Sequence, residues 1–105
     1  MLFRFDELLS LSDVVSIHCP SNESTHHLFG PAQFKKMKNT AFLINTARGP
    51  IVDEQALVEA LSSREIAGAG LDVFEFEPKI NDGLLDRDDV VLIPHLGSEI
   101  GRAHV

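Results

Sequence analysis

The chain has 105 residues, which is enough for one small domain with a single hydrophobic core. Its 44% apolar and 24% charged residues are typical of a globular domain, and its net charge of −7 argues against attraction to nucleic acid. The single cysteine, Cys19, allows no internal disulfide bond and no apolar run approaches the ~20 residues of a membrane span, so we expect a cytoplasmic protein that binds neither nucleic acid nor membrane.

The first elements alternate between helical and strand patterns. Residues 6–11 have the pattern of the end of a helix, in which we expect Leu8 and Leu9 to face inward. β-branched residues then dominate residues 13–19, and Pro20 ends the run, which predicts the first strand.

The middle of the chain predicts two helices around a buried strand. Pro31 follows Gly30 and is well tolerated at the first helical position, so a helix is expected to begin there. Residues 41–45 form a continuous apolar run of the kind found in buried parallel strands. Asp53 is a good N-cap for a helix over residues 54–63, where apolar residues recur at helical spacing.

The last third of the chain predicts two more strands. Residues 67–74 are rich in small residues, which indicates a strand that another backbone approaches closely. Residues 90–93 form the fourth apolar run, and residues 79–89 before it are predicted to be a polar loop, which leaves the direction of the last strand open. Helices between apolar strands favour an α/β fold of doubly wound type with a mostly parallel sheet, present as a partial domain.

Polar residues that can carry chemistry fall at the predicted strand ends. In open α/β sheets, ligands bind outside the carboxyl ends of the strands. The candidates there are Arg48, Asp72, Glu75, Glu77 and His95. An arginine can hold the carboxylate of a 2-oxo acid, a histidine can protonate its ketone oxygen, and a carboxylate can orient that histidine, whereas a hydride must come from a cofactor.

Four segments in order resemble the D-2-hydroxyacid dehydrogenase family, which includes D-lactate and D-3-phosphoglycerate dehydrogenases and glyoxylate/hydroxypyruvate reductase. They are residues 12–20 (SDVVSIHCP), 44–49 (INTARG), 68–78 (GAGLDVFEFEP) and 94–98 (PHLGS). The resemblance implies a Rossmann-like domain, NAD or NADP as cofactor, a 2-oxo acid or 2-hydroxy acid as substrate, and a homodimer in the intact protein.

The resemblance also implies residue roles. Arg48 matches the arginine that binds the substrate carboxylate, His95 the acid/base histidine, and Glu77, next to Pro78, the glutamate paired with it; Glu75 is a neighbouring acid of similar chemistry. The residues implied to line the cofactor are Cys19, Pro20, Thr46, Ala47, Arg48, Asp72, His95, Gly97 and Ser98.

The Gly-rich phosphate loop of the family, G-x-G-x-x-G, does not occur in the chain, and neither does the substrate domain. We therefore interpret residues 1–105 as the second half of an NAD(P)-binding domain. One alternative is a nucleotide-binding regulatory module resembling the C-terminal-binding protein corepressors, which a turnover assay would distinguish. Another is a piece that is inactive on its own.

We expect no metal site. His26 and His27 are adjacent and are expected to point in different directions, and no third ligand lies nearby in the sequence. The acidic residues of the polar loop, Asp86, Asp88 and Asp89, lack the spacing of an EF-hand.

Overall fold

A computed structural model describes residues 2–77, 79–85 and 87–92. Its helices and strands follow the chain in the order α1 (Leu2–Leu11), β1 (Val14–Ile17), α2 (Pro31–Lys36), β2 (Phe42–Asn45), α3 (Glu54–Ser62), β3 (Gly68–Leu71) and β4 (Val90–Leu92). Two single-turn 3₁₀ helices, Gly49–Ile51 and Asp82–Leu84, lie in the connections. No helix among these residues is long and apolar enough to cross a bilayer.

The four strands form one parallel sheet in the order β1-β2-β3-β4. The predicted α/β fold is therefore confirmed, and the last strand, whose direction the sequence left open, also runs parallel. Leu43 pairs with Val15 on one side and with Ala69 on the other, which fixes the register at the centre of the sheet. All four carboxyl ends therefore lie at one edge.

Local signals start the helices where the sequence predicts. Pro31 is the first residue of α2, where its missing N–H costs no helical hydrogen bond. Asp53 caps α3, because its side chain accepts the N–H of Ala56 at 3.2 Å. This cap brings the chain after β2 into α3 at a defined angle to the sheet.

The hydrophobic core lies on one face of the sheet. The strand residues that point into it are Val15, Ile17, Leu43, Ala69 and Leu71, and the helix residues packed on them include Leu9, Phe34, Leu57 and Leu61. On the other face, large apolar side chains are exposed, among them Val14, Phe42 and Val91. The described helices therefore bury one face of the sheet.

Two predictions need correction. Leu9 is fully buried, as expected, but Leu8 is 49% exposed, because one helical residue is a rotation of about 100° and the two side chains cannot share the inner face. Residues 79–89 are not simply a polar loop, since they contain the 3₁₀ turn at Asp82–Leu84, and Leu84 packs into the core.

The two adjacent leucines of α1 provide a matched test of this packing. Leu9→Ala is expected to lower the free energy of unfolding of the chain by ~2–5 kcal/mol, because it leaves a cavity in the core. Leu8→Ala removes the same atoms from a half-exposed position, and we expect a loss below about 1 kcal/mol. Urea unfolding followed by circular dichroism measures both; equal losses would contradict the assigned face of α1.

Candidate functional site

The ends of β1 and β2 enclose a cavity of about 460 Å³. It contains the predicted cofactor residues of both strand ends together with the predicted substrate-binding arginine. The lining residues are His18, Cys19, Pro20, Ser21, Thr46, Ala47 and Arg48. Segments at least 25 positions apart in the sequence therefore meet at the carboxyl edge of the sheet.

Asn45, the last residue of β2, shapes the turn that carries Arg48. It is 1% exposed, and its side-chain amide donates to the carbonyl of Arg48 at 2.9 Å while its oxygen accepts the N–H of Ala47 at 3.0 Å. A buried amide with both groups bonded fixes the backbone around it. Asn45 had no predicted role, although an asparagine directly after an apolar run is a common turn signal.

Gly49 brings the Arg48 turn against the chain that follows β3. A Cβ atom at Gly49 would lie 1.9 Å from the carbonyl oxygen of Phe74, so no side chain fits there. This close approach forms a groove of about 400 Å³ that both Arg48 and Glu77 line. Arg48, which is exposed, thus borders this groove and the cavity at the ends of β1 and β2.

Asp72 lies on a third depression, of about 370 Å³, on the open face of the sheet. Gly70 and the backbone of Ala69 are among its lining residues, and Thr46 borders it as well as the first cavity. The backbone N–H of Asp72 donates to the carbonyl of Asn45 at 3.0 Å, which continues the ladder between the two strands past their ends.

Glu77 and Glu75 differ in how their carboxylates are held. Glu77 is exposed and accepts the N–H of Phe74 at 2.8 Å. Glu75 accepts the backbone N–H of Glu54 at 3.1 Å on one oxygen and hydrogen-bonds Nε2 of His27 with the other. Both oxygens of Glu75 thus have partners in the chain, and Glu75 lines the same groove as Arg48 and Glu77.

His27, Asp53 and Glu75 form a compact cluster whose possible ligand atoms all lie within 4.8 Å of one another. The two carboxylates come from parts of the chain distant from His27 in sequence, which is why no third ligand was found nearby. Hydrogen bonding within the cluster already occupies the Glu75 oxygen nearest His27. His27 has a φ of 52°, in the left-handed region. Its ring stacks on that of His26 at 4.0 Å between centroids, so the expectation that the two point in different directions was wrong.

Glu54 is the buried acid of this region, at 3% exposure. Burial raises the pKa of its carboxyl group, and the charges of Glu75 and Glu77 act in the same direction. Hydrogen bonds from the backbone N–H groups of Glu75 and Asn81 act in the opposite direction. Its position as the first residue of α3 also favours the anion, because the helix dipole is positive there.

Three predicted site residues, His95, Gly97 and Ser98, lie outside the described residues. Of the predicted catalytic set, the structure therefore places Arg48 and Glu77, and it places them on the same groove. The roles given to all of these residues stay predictions.

Comparison with known proteins gives a consistent result. Residues 1–97 match the profile of the D-isomer specific 2-hydroxyacid dehydrogenase family, NAD binding domain. A Schizosaccharomyces pombe protein assigned to the 2-hydroxyacid dehydrogenases is 53% identical over 94 residues, which cover 90% of this chain and 28% of that protein. The chain thus spans less than a third of the length of this relative.

Solved structures agree with the sequence match. A glyoxylate reductase from Paecilomyes thermophila is 48% identical with a TM-score of 0.85, over 89% of this chain and 28% of that one. An NADPH-dependent glyoxylate/hydroxypyruvate reductase from Sinorhizobium meliloti, solved with NADP and malonate, is 38% identical with a TM-score of 0.86, over 90% of this chain and 30% of that one.

The close approach at Gly49 can be tested by adding one methyl group. Gly49→Ala must displace the backbone at Phe74, and we expect a loss of about 3 kcal/mol or more, at the upper end for overpacking. Gly30→Ala is the matched control, because its new Cβ would meet its nearest atom at 3.5 Å. Thermal and urea unfolding of the chain compare the two; a Gly49→Ala chain as stable as the control would contradict the packing described.

The raised pKa of Glu54 predicts a pH dependence with a definite sign. The folded state keeps the Glu54 proton to higher pH than the unfolded state does, so the contribution of this group to stability is present at low pH and is lost as the pH rises through the raised pKa. Glu54→Gln removes this titration. As the pH falls from about 7 to about 4, the free energy of unfolding of wild type, measured with urea, should therefore rise relative to that of Glu54→Gln. A relative decrease over the same range would show that the pKa is lowered.

Proposed function

Because the chain belongs to the D-isomer-specific 2-hydroxyacid dehydrogenase family, whose members are NAD(P)-dependent oxidoreductases, we propose that it supplies catalytic residues for reversible reduction of a 2-oxo acid to a D-2-hydroxy acid. The observation that carries this proposal is the groove shared by Arg48 and Glu77 at the carboxyl edge of a parallel sheet. We further propose that residues 1–105 are the second half of the cofactor-binding domain.

Arg48 is suited to bind the substrate carboxylate. Its guanidinium group is exposed at the border of two cavities and reaches back to the carbonyl of Ala47 at 2.9 Å, which restricts the side chain without using all five N–H donors. A guanidinium can hold a carboxylate through two parallel hydrogen bonds. Binding at Arg48 would therefore orient the ketone carbon of the substrate as well as neutralise its charge.

Glu77 and His95 complete the proposed acid/base machinery. In the reduction, His95 donates a proton to the ketone oxygen as negative charge develops there. A carboxylate beside a histidine favours the charged imidazolium and fixes the ring nitrogen that carries the proton. Glu77 is the acid assigned to this task, and the N–H of Phe74 donates to its carboxylate at the groove that Arg48 also lines.

The residues at the sheet edge fit a nicotinamide dinucleotide. The cavity at the ends of β1 and β2 has the size of a small-molecule site, and Thr46 connects it to the shallow surface above Ala69 and Gly70. Thr46, Ala47 and the Cys19–Pro20 turn would hold the cofactor in the cavity, with Asp72 on the adjoining surface. The bound cofactor supplies the hydride, which no side chain can provide.

Two further parts of the proposal concern the intact protein. A cytoplasmic location is suggested by the single cysteine, since secreted domains of this size commonly depend on disulfides. A homodimer is suggested by the family resemblance alone, and analytical ultracentrifugation of the intact protein would test it.

The activity can be tested by placing these residues in a complete enzyme. Residues 1–97 would replace the matching segment of the Paecilomyes thermophila glyoxylate reductase, and oxidation of NADH and NADPH would be followed with glyoxylate, hydroxypyruvate and pyruvate. Arg48→Ala should raise KM about 10- to 150-fold, the equivalent of about 1.5–3 kcal/mol for a lost charged hydrogen bond. His95→Ala should mainly lower kcat, by about 10²- to 10⁴-fold.

Lys38→Ala is the control, because Lys38 is a surface cation that pairs with Asp13 at 3.1 Å, away from the groove. It should leave both constants unchanged. Turnover that survives Arg48→Ala and His95→Ala would contradict the assigned roles. A folded chimera that binds NADH but reduces none of the three acids would favour the nucleotide-binding regulatory module instead.

A further inference from the structure

Glu54 is a buried acid that the proposed reaction does not use. Carboxylates are almost never buried to this degree unless hydrogen-bonded partners compensate for lost hydration. Its partners are not on α3 itself but on the segment 75–81, which follows β3 and includes Glu77. The contacts of Glu54 therefore bear on the position of a proposed catalytic residue.

A reciprocal pair of hydrogen bonds joins α3 to the first residue of this segment. The backbone N–H of Glu75 donates to Oε2 of Glu54, and the backbone N–H of Glu54 donates to Oε1 of Glu75 at 3.1 Å. The N–H of Glu54 is one of the four at the start of α3 that have no partner within the helix. The side chain of each glutamate thus accepts the backbone N–H of the other glutamate, 21 residues away.

The far end of the segment is also tied to the start of α3. Asn81 lies with Glu54 on a small cavity of about 320 Å³. The Asn81 side chain reaches Oε1 of Gln55, the next residue of α3, at 3.4 Å. Between the two ends, the N–H of Lys79 donates to the carbonyl of Phe76 at 2.9 Å, and this bond spans the position of Glu77 as in a tight turn.

We propose that Glu54 is a positioning residue for Glu77, which it holds beside Arg48 by anchoring Glu75, two residues earlier in the chain, to the N-terminus of α3. The inference rests on the proposed function only for the role of Glu77; the anchoring itself does not depend on any activity. Glu54 touches neither groove that Arg48 lines, so it acts through the backbone and not on the substrate.

The anchoring is tested first on the chain itself, by amide hydrogen exchange. The N–H of Glu75 should exchange at least about tenfold faster in Glu54→Gln, because the neutral amide oxygen is a weaker acceptor than a carboxylate oxygen and the NH₂ group cannot accept at all. Glu59→Gln is the matched control, since Glu59 is an exposed glutamate on the same helix. Unchanged exchange at this amide would overturn the proposal whatever the activity of the protein. If Glu54→Gln does not fold, Glu54→Asp replaces it, because it keeps the charge but withdraws the carboxylate by one methylene group.

The effect on catalysis is tested in the chimera through the pH profile of kcat. A loss of folded enzyme would lower kcat at every pH without moving the profile. A displaced Glu77 would instead lower the pKa of His95, so the basic limb of the profile for reduction should move about one unit to lower pH, with KM for the 2-oxo acid within about twofold. Glu77→Gln should produce the same shift, and Glu54→Gln should add nothing further in that background.

The two readouts separate the possible failures. Faster exchange with an unmoved pH profile would refute the positioning role and leave the proposed function standing. Faster exchange in a chimera that His95→Ala and Arg48→Ala do not impair would refute the proposed function, and the anchoring by Glu54 would then be structural only. Shifts that add in Glu54→Gln/Glu77→Gln would also overturn the proposal, since they would mean that Glu54 does not act through Glu77.

Discussion

The candidate site depends on one close backbone contact, between Gly49 and Phe74. A glycine without a Cβ atom lets the turn after β2 lie directly against the chain after β3. That contact turns two neighbouring strand ends into the two walls of a groove, with Arg48 on one wall and Glu77 on the other. A side chain at this point would separate the cation and the acid that we propose act on the same small substrate.

Hydrogen bonds to the backbone, more than side-chain packing, then fix each wall. Asn45 holds the Arg48 turn through two bonds to its backbone, while Glu54 holds the Glu77 segment from the start of α3. Both residues are buried polar groups whose hydrogen bonds lie in a low-dielectric setting, where such bonds are stronger and their loss is more costly. A loop supported in this way can present an exposed catalytic side chain with little freedom of the backbone beneath it.

Charge is unevenly distributed around this edge. Asp53, Glu54 and Glu75 gather at the N-terminus of α3, where the helix dipole and the imidazole of His27 offset part of their mutual repulsion. Arg48 lies on the other side of the groove, next to the cavity suited to the cofactor. In the proposed reaction, the guanidinium group would be the cation that attracts an anionic substrate to this edge.

The sequence by itself determined the order and type of the main elements, because strands, caps and turns leave local signals. The apolar runs at residues 41–45 and 90–93, the Asp53 cap and the four family segments were all readable without coordinates. These signals also identified Arg48 and Glu77 as candidates, since ligands gather at the carboxyl ends of parallel strands.

Only the tertiary structure decided which distant residues meet. It showed that Leu8 faces away from the core, that Gly49 has no room for a side chain, and that Glu54 bonds to a segment 21 residues further along the chain. Periodicity and motifs report on neighbours within a few residues, whereas these contacts exist only after crossovers have brought separate strand ends and helix termini together. The physical reason is that burial and hydrogen-bond partners belong to the packed arrangement, and the local pattern of residues does not specify them.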